Sequence, residues 1–387
     1  MNHRPMALIT LCLLLFIAGC AGGSPAAPEA AVATAPPTRE GAGARASAEP
    51  PAASSPSPAA GDTDTPALTG TPVPTATATA TATATRTATA TATPTPDPYT
   101  GLTIDDLTAR PYGQGEITVI QELAAEAAFR RYLITYPSDG LTIHGFMNVP
   151  AGEGPFPVVV VLHGYIPPEQ YSTLAYTTRY ADALARAGYV ALHPNLRNFP
   201  PSDEALDRFR VGSAIDALNL VGLVRRHGGQ PGPLKQADAE RIGMWGHSMG
   251  GGITIRAITV DAGIKAAVLY GSMNADERTN YEQRRVWSGG SHIEELAVPD
   301  ADLARISPAT YLDRIVAPVS IHHSEDDGTV TVEWSEELCA RLEELGKEVE
   351  CFFYSGVPHT FNGPLDRTFM ERYVAFFDRH LKPAETS

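Results

Sequence analysis

From about residue 129 onward the chain alternates strand-like and helix-like hydrophobic patterns. Phe129 to Tyr136 and Leu141 to Val149 are strand-like and flank Pro137-Ser138-Asp139-Gly140, a turn-rich tetrapeptide, so they predict a β-hairpin. Pro157 to Leu162 is a continuous run of mostly β-branched residues, which suits a strand covered on both faces. A helical pattern over 177–187 is stopped by Gly188 and followed by strand-like Tyr189 to His193. Helices are then expected over 213–227, 252–259, 333–346 and 366–381. Strands are expected over 241–246, 265–270, 319–323 and 349–354. Alternation of this kind predicts an α/β fold, a mostly parallel doubly wound sheet with the N-terminal antiparallel hairpin at one edge. Met273 to Ile306 breaks the rhythm with many charges, Trp287 and Gly289-Gly290. It follows the C-terminal end of a strand, where ligands bind in such sheets, and is a candidate cap insertion.

Composition divides the chain near residue 98. Before it, Ala, Thr, Pro and Ser dominate, with Thr-Ala repeats from about Thr75 to Thr93. Such a segment cannot bury enough apolar surface to offset chain entropy, so residues 21–98 are expected to be a disordered linker. As a flexible coil it would span about 50 Å root-mean-square. Residues 99–387 suffice for one globular domain. Residues 1–20 carry Arg4, an apolar stretch from Met6 to Ile17, and Ile17-Ala18-Gly19-Cys20. The stretch is too short to span a bilayer. Small residues before Cys20 resemble the lipobox of bacterial lipoproteins. That resemblance implies lipidation of Cys20 and an exported protein held at a membrane surface by its lipid alone. The net charge of −15 argues against a nucleic-acid partner. Outside the signal, Cys339 and Cys351 form an even pair. They are either a disulfide, which export permits, or two buried thiols.

The chemistry concentrates in a few places. Gly246-His247-Ser248-Met249-Gly250 is a G-x-S-x-G pattern directly after the strand Arg241 to Trp245 and before a helix. That context marks a nucleophile elbow. The serine sits on a strained turn, so Gly246 and Gly250 must lack side chains, and the Met249 N–H faces a developing oxyanion. A serine needs a base, and in this order of elements the acid and then the histidine follow it. His322 and His323 precede any suitable acid and point to opposite sides of one strand. His380 ends the last helix. His359, in a turn after a strand, remains as the base. The acid falls within Glu325-Asp326-Asp327. The second oxyanion donor is expected from the Tyr165 N–H, after His163-Gly164. His247 is read as structural. Scattered histidines and the lack of a phosphate loop or dinucleotide fingerprint predict neither metal nor cofactor.

These stretches resemble the catalytic domain of the prolyl oligopeptidase family of serine peptidases, over about residues 129–383. Tyr136 to Gly145 resembles its opening hairpin, and Arg241 to Gly251 its "RIG-x-x-GHS-x-GG" elbow. Ser307-Pro308 through Val330 resembles its acid segment, and aligning Val330 places the acid at Asp327. Gly356 to Phe361 resembles its "G-x-x-H-x-F" loop. The resemblance implies an α/β-hydrolase fold and a serine-type peptidase acting on small peptides. Tyr165, Asn198 and Ser324 stand where the family has Gly, and residues 99–128 are too few for the gating propeller of the large peptidases. Propeller-free relatives, similar to dienelactone hydrolases and bacterial esterases, share the motifs, so ester hydrolysis is the alternative expectation. An inactive surface-binding module is a further one.

Overall fold

A computed structural model of the chain describes residues 97–290 and 294–382. The signal segment 1–20 with Cys20, and the segment 21–96 within the expected linker, lie outside the described residues. Asp97 and Pro98, the last residues of the expected linker, are among the described residues. Asp97 accepts from the Tyr99 N–H at 2.9 Å and pairs with Arg305 at 2.7 Å, which ties it to the body of the fold.

The sheet has nine strands. A short helix, α1 (Ile104–Ala109), precedes β1 (Thr118–Ala125), β2 (Phe129–Ser138) and β3 (Leu141–Pro150), which are antiparallel. β4 (Phe156–Leu162), β5 (Val190–Pro194), β6 (Ala237–His247), β7 (Ala266–Tyr270), β8 (Val319–Ser324) and β9 (Val349–Tyr354) run parallel to one another. Their order is β1-β2-β3-β5-β4-β6-β7-β8-β9. The helices between and after them are α2 (Thr178–Arg186), α3 (Val211–His227), α4 (Met249–Val260), α5 (Glu277–Trp287), α6 (Asp300–Ile306), α7 (Glu333–Glu344) and α8 (Gly363–Leu381). The mostly parallel sheet with an antiparallel N-terminal edge agrees with the sequence expectation. The edge, however, carries three strands where a hairpin was predicted.

β4 shows why the sheet is covered on both sides. Successive side chains along a strand point to opposite faces. Val158, Val160 and Leu162 join the core that holds residues of α3 and α4, such as Leu220 and Ile255. Val159 and Val161 join the second core, with Tyr180 of α2 and Phe369 of α8. The continuous apolar run therefore serves two cores.

Cys339 of α7 and Cys351 of β9 form a disulfide with Cα atoms 6.5 Å apart, inside the range a bridge tolerates. It fastens the helix after the acid segment to the strand before the histidine loop. Among the described residues no helix is long and apolar enough to cross a membrane.

Candidate active site

The site is built at the C-terminal ends of the parallel strands. β6 runs into α4 with only Ser248 between them, and Ser248 adopts φ 53°, ψ −115°. That is a sparsely allowed conformation for a residue with a side chain, held by its surroundings. The Ser248 N–H donates to the Tyr270 carbonyl at 2.9 Å, and the Met273 N–H donates to the Ser248 carbonyl at 3.1 Å. The turn is tight enough to exclude a Cβ on either side. One at Gly246 would lie 2.2 Å from the Gly250 carbonyl oxygen, and one at Gly250 would lie 2.3 Å from that of Leu162. Both glycines expected from the motif are thus sterically required.

His359 follows β9 and reaches back over the sheet. Its Nδ1 lies 2.6 Å from Asp327 Oδ2. A carboxylate only accepts, so Nδ1 carries the proton and Nε2 keeps a lone pair. The Asp327 side chain is 1% exposed. Its Oδ1 accepts from the N–H groups of Thr329 at 2.8 Å and Val330 at 2.9 Å. Burial pushes this carboxyl up, but hydrogen bonds from His323, His359 and Val330 outweigh it and hold Asp327 below the usual carboxylate range. Asp326 turns elsewhere. Its Oδ2 accepts from the Gly356 N–H at 2.6 Å, which ties the acid segment to the histidine loop. Ser324 adds a second tie, donating to the Val357 carbonyl. The hydroxyl is therefore used at the position where the resembling family has Gly.

His247 is not a base, but it is more than filler. Its Nδ1 accepts from the Tyr176 hydroxyl, which itself accepts from the Gly164 N–H at 2.9 Å. Its Nε2 donates to the His359 carbonyl at 3.1 Å, and the two imidazoles lie 4.5 Å apart. Burial drives its pKa well below the usual value, and the neighbouring His359 adds to this, so it stays neutral. The loop carrying Gly164 and the loop carrying His359 are joined through this one ring. Gly164 is itself confined, because a Cβ there would meet the Tyr176 hydroxyl at 2.7 Å.

Sequence reasoning missed Tyr176, and it missed Gly271. A Cβ at Gly271, where φ is +48°, would lie 3.2 Å from His359 Cε1 and Nδ1. Neither residue belongs to a recognisable local motif; each matters through a partner distant in the chain.

A cavity of about 610 Å³ opens over these groups, lined by Ser248, His359, His247 and Met249. Tyr165 and Phe199 lie on the same wall, and Met273, Arg284, Trp287 and Ser288 come from the excursion between β7 and β8. Arg210, at the start of α3, contributes a second guanidinium. Met249 is the first residue of α4, so its N–H has no partner within the helix. Among the described residues, neither the Tyr165 nor the Met249 N–H donates to another protein group. Asn198, also on the lining, has φ 68°, a region Asn tolerates better than most residues. That explains how Asn substitutes for Gly there. No group of His, Cys, Asp or Glu among the described residues has metal-site geometry.

A sheet of this order, with a strained serine between its central strand and the next helix, defines an α/β-hydrolase-fold hydrolase. Residues 143–378 match the dienelactone hydrolase family, and the chain belongs to that family. An uncharacterized peptidase of Bacillus subtilis (strain 168), YtmA, is 28% identical over 242 residues, covering 60% of this chain and 87% of the relative. Among solved structures, the acylaminoacyl peptidase of Pyrococcus horikoshii superposes with a TM-score of 0.54 at 24% identity. The match covers 67% of this chain and 43% of the peptidase, so the chain spans less than half of that protein. Acetyl xylan esterase 1 from Thermoanaerobacterium sp. JW/SL YS485 superposes with a TM-score of 0.53 at 14% identity, over 70% of this chain and 93% of the esterase. At these identities the likeness is one of fold.

Proposed function

We propose that the chain is a serine hydrolase working through an acyl-enzyme, with Ser248 as nucleophile, His359 as base and Asp327 as the acid that orients it. The observation that carries this reading is one cavity holding a strained serine and a histidine whose Nδ1 is 2.6 Å from a buried carboxylate. In the first step Ser248 Oγ bonds to the substrate carbonyl carbon while its proton passes to His359 Nε2. The N–H groups of Tyr165 and Met249 stabilise the oxyanion. The carbon–leaving-group bond then breaks, and the His359 proton goes to the leaving group. Water, deprotonated by His359, attacks the acyl-enzyme and restores Ser248. Asp327 remains ionised throughout and stabilises the imidazolium.

The substrate class is a small peptide or a small ester. The motif resemblance and the peptidase relative support serine-type peptidase activity. Membership of the dienelactone hydrolase family supports the second reading, carboxylic-ester hydrolysis. Paired kinetics on the full chain separate them. Amides and short-chain nitrophenyl esters turned over comparably, both abolished by Ser248→Ala, fit the peptidase. Fast ester cleavage with amides at background fits the esterase. Equal turnover by wild type and Ser248→Ala would reject both.

A further inference from the structure

β8 places two histidines in succession, and they go to opposite faces. His322 stacks on Phe352 with centroids 5.0 Å apart, and its Nδ1 is 2.8 Å from the Tyr354 hydroxyl, away from the cavity. His323 turns the other way and is fully buried against the acid segment. Its Nε2 lies 3.0 Å from the Val330 carbonyl oxygen and 3.2 Å from Asp327 Oδ2. Both partners can only accept, so Nε2 carries a proton, hydrogen-bonded to the Val330 carbonyl with Asp327 Oδ2 as a second, longer contact. Nδ1 lies 2.6 Å from the hydroxyl of Ser335 in α7. That bond anchors the ring from the far side.

The consequence for Asp327 is a carboxylate faced by donors on both oxygens. Oδ1 takes two backbone N–H groups, and Oδ2 takes the Nδ1–H of His359 and lies 3.2 Å from the protonated Nε2 of His323. A buried carboxylate held in this way on both oxygens has little freedom to rotate. We propose that His323 is a positioning residue for the reaction. Its Nε2–H, set against Oδ2, fixes the Asp327 carboxylate, which in turn fixes the tautomer and tilt of His359. This rests on the reading of Ser248, His359 and Asp327 given above.

The same geometry predicts how acidity changes when that donor is lost. Without the His323 N–H, more of the charge on Oδ2 is directed to His359, which favours the imidazolium. The acidic limb of kcat/KM then moves to higher pH. The other groups around the pair do not replace the lost proton. From β6, neutral His247 faces the His359 ring and carbonyl. Tyr270 of β7 packs on His247 at 4.3 Å, and Gly271 just after it contributes no side chain. Tyr176 is committed to His247, and Asp326 to the Gly356 N–H.

The test compares three variants of the full chain with Ser248→Ala as control, using a nitrophenyl ester and following thermal midpoints in parallel. A glutamine side chain is long enough to set an amide N–H near the Nε2 position, so His323→Gln should stay within about threefold of wild type with its acidic limb unmoved. His323→Asn is too short to reach Asp327, and His323→Leu has no donor. Each should lose about tenfold in kcat with KM nearly constant, and shift the limb up by about half a unit. A limb unmoved in His323→Asn and His323→Leu, or a loss in His323→Gln equal to theirs, would overturn the role of His323. So would failure of all three to fold, which marks a purely structural residue. Turnover surviving Ser248→Ala would instead remove the underlying reading, and this role with it.

Discussion

Gly271 shows how much of the site depends on a single absent atom. It follows the strand beside the nucleophile with φ +48°, and a Cβ there would crowd His359 at 3.2 Å while only touching Asp327 Oδ2 at 3.5 Å. Gly271→Ala should therefore cost roughly 1–2 kcal/mol in backbone strain, yet lower kcat about tenfold or more by tilting the imidazole. Unfolding midpoints and ester kinetics measured together check this. An unchanged kcat would mean that His359 moves aside freely. Other departures from the resembling family are settled at the same scale. Asn198 accepts a left-handed backbone, and Ser324 spends its hydroxyl on the Val357 carbonyl.

Among elements, α7 and β9 flank the acid and histidine loops, and the Cys339–Cys351 bridge closes a short loop between them. A loop of that length stabilises the fold by about 3 kcal/mol through the unfolded chain. Replacing both cysteines by Ser should lower the thermal midpoint by roughly 5–10 °C, read by calorimetry, and leave kcat within about twofold at 25 °C. The sequence could not decide this bridge, because spacing says nothing about whether two Cα atoms come within reach. It made the hairpin legible, though the turn is tighter than expected. β2 and β3 run to Ser138 and Leu141, leaving Asp139 and Gly140, at φ 51° and 84°, as the two-residue turn. β1 was missed because most of its residues are exposed, so no apolar alternation marks it. α4 starts three residues before its expected position. Gly250 and Gly251 fall in its first turn, where they allow close approach to Leu162 and Ser272. Ser248 and His359 were legible because each stands in a local motif. The contact of His323 with Asp327 was not, because it depends on the path of the loop back to Val330.

Across the whole molecule, several imidazoles are buried in the neutral form. Burial lowers His193 and His322 to about 3, and it lowers His247 strongly as well. In the unfolded chain each takes a proton as pH falls through about 6.5. The unfolded state then binds more protons than the folded one, so stability falls as pH drops from about 6.5 toward 3. Between pH 7 and 5 most carboxylates stay ionised in both states, and the histidines dominate. The thermal midpoint should fall on the order of 10 °C over that interval. A flat profile would show that these rings are charged in the fold. The excursion between Gly271 and Val319 has a different kind of consequence. It leaves from β7 and returns to the adjacent β8, and it supplies Met273, Arg284, Trp287 and Ser288 to the cavity, while none of its described residues joins the sheet. Apart from Met273, which holds the Ser248 carbonyl, and Glu277, which pairs with buried Arg256, its residues can change without disturbing sheet register. Over evolutionary time the substrate repertoire is therefore free to drift in one stretch of the gene while the bond-breaking apparatus is kept in others.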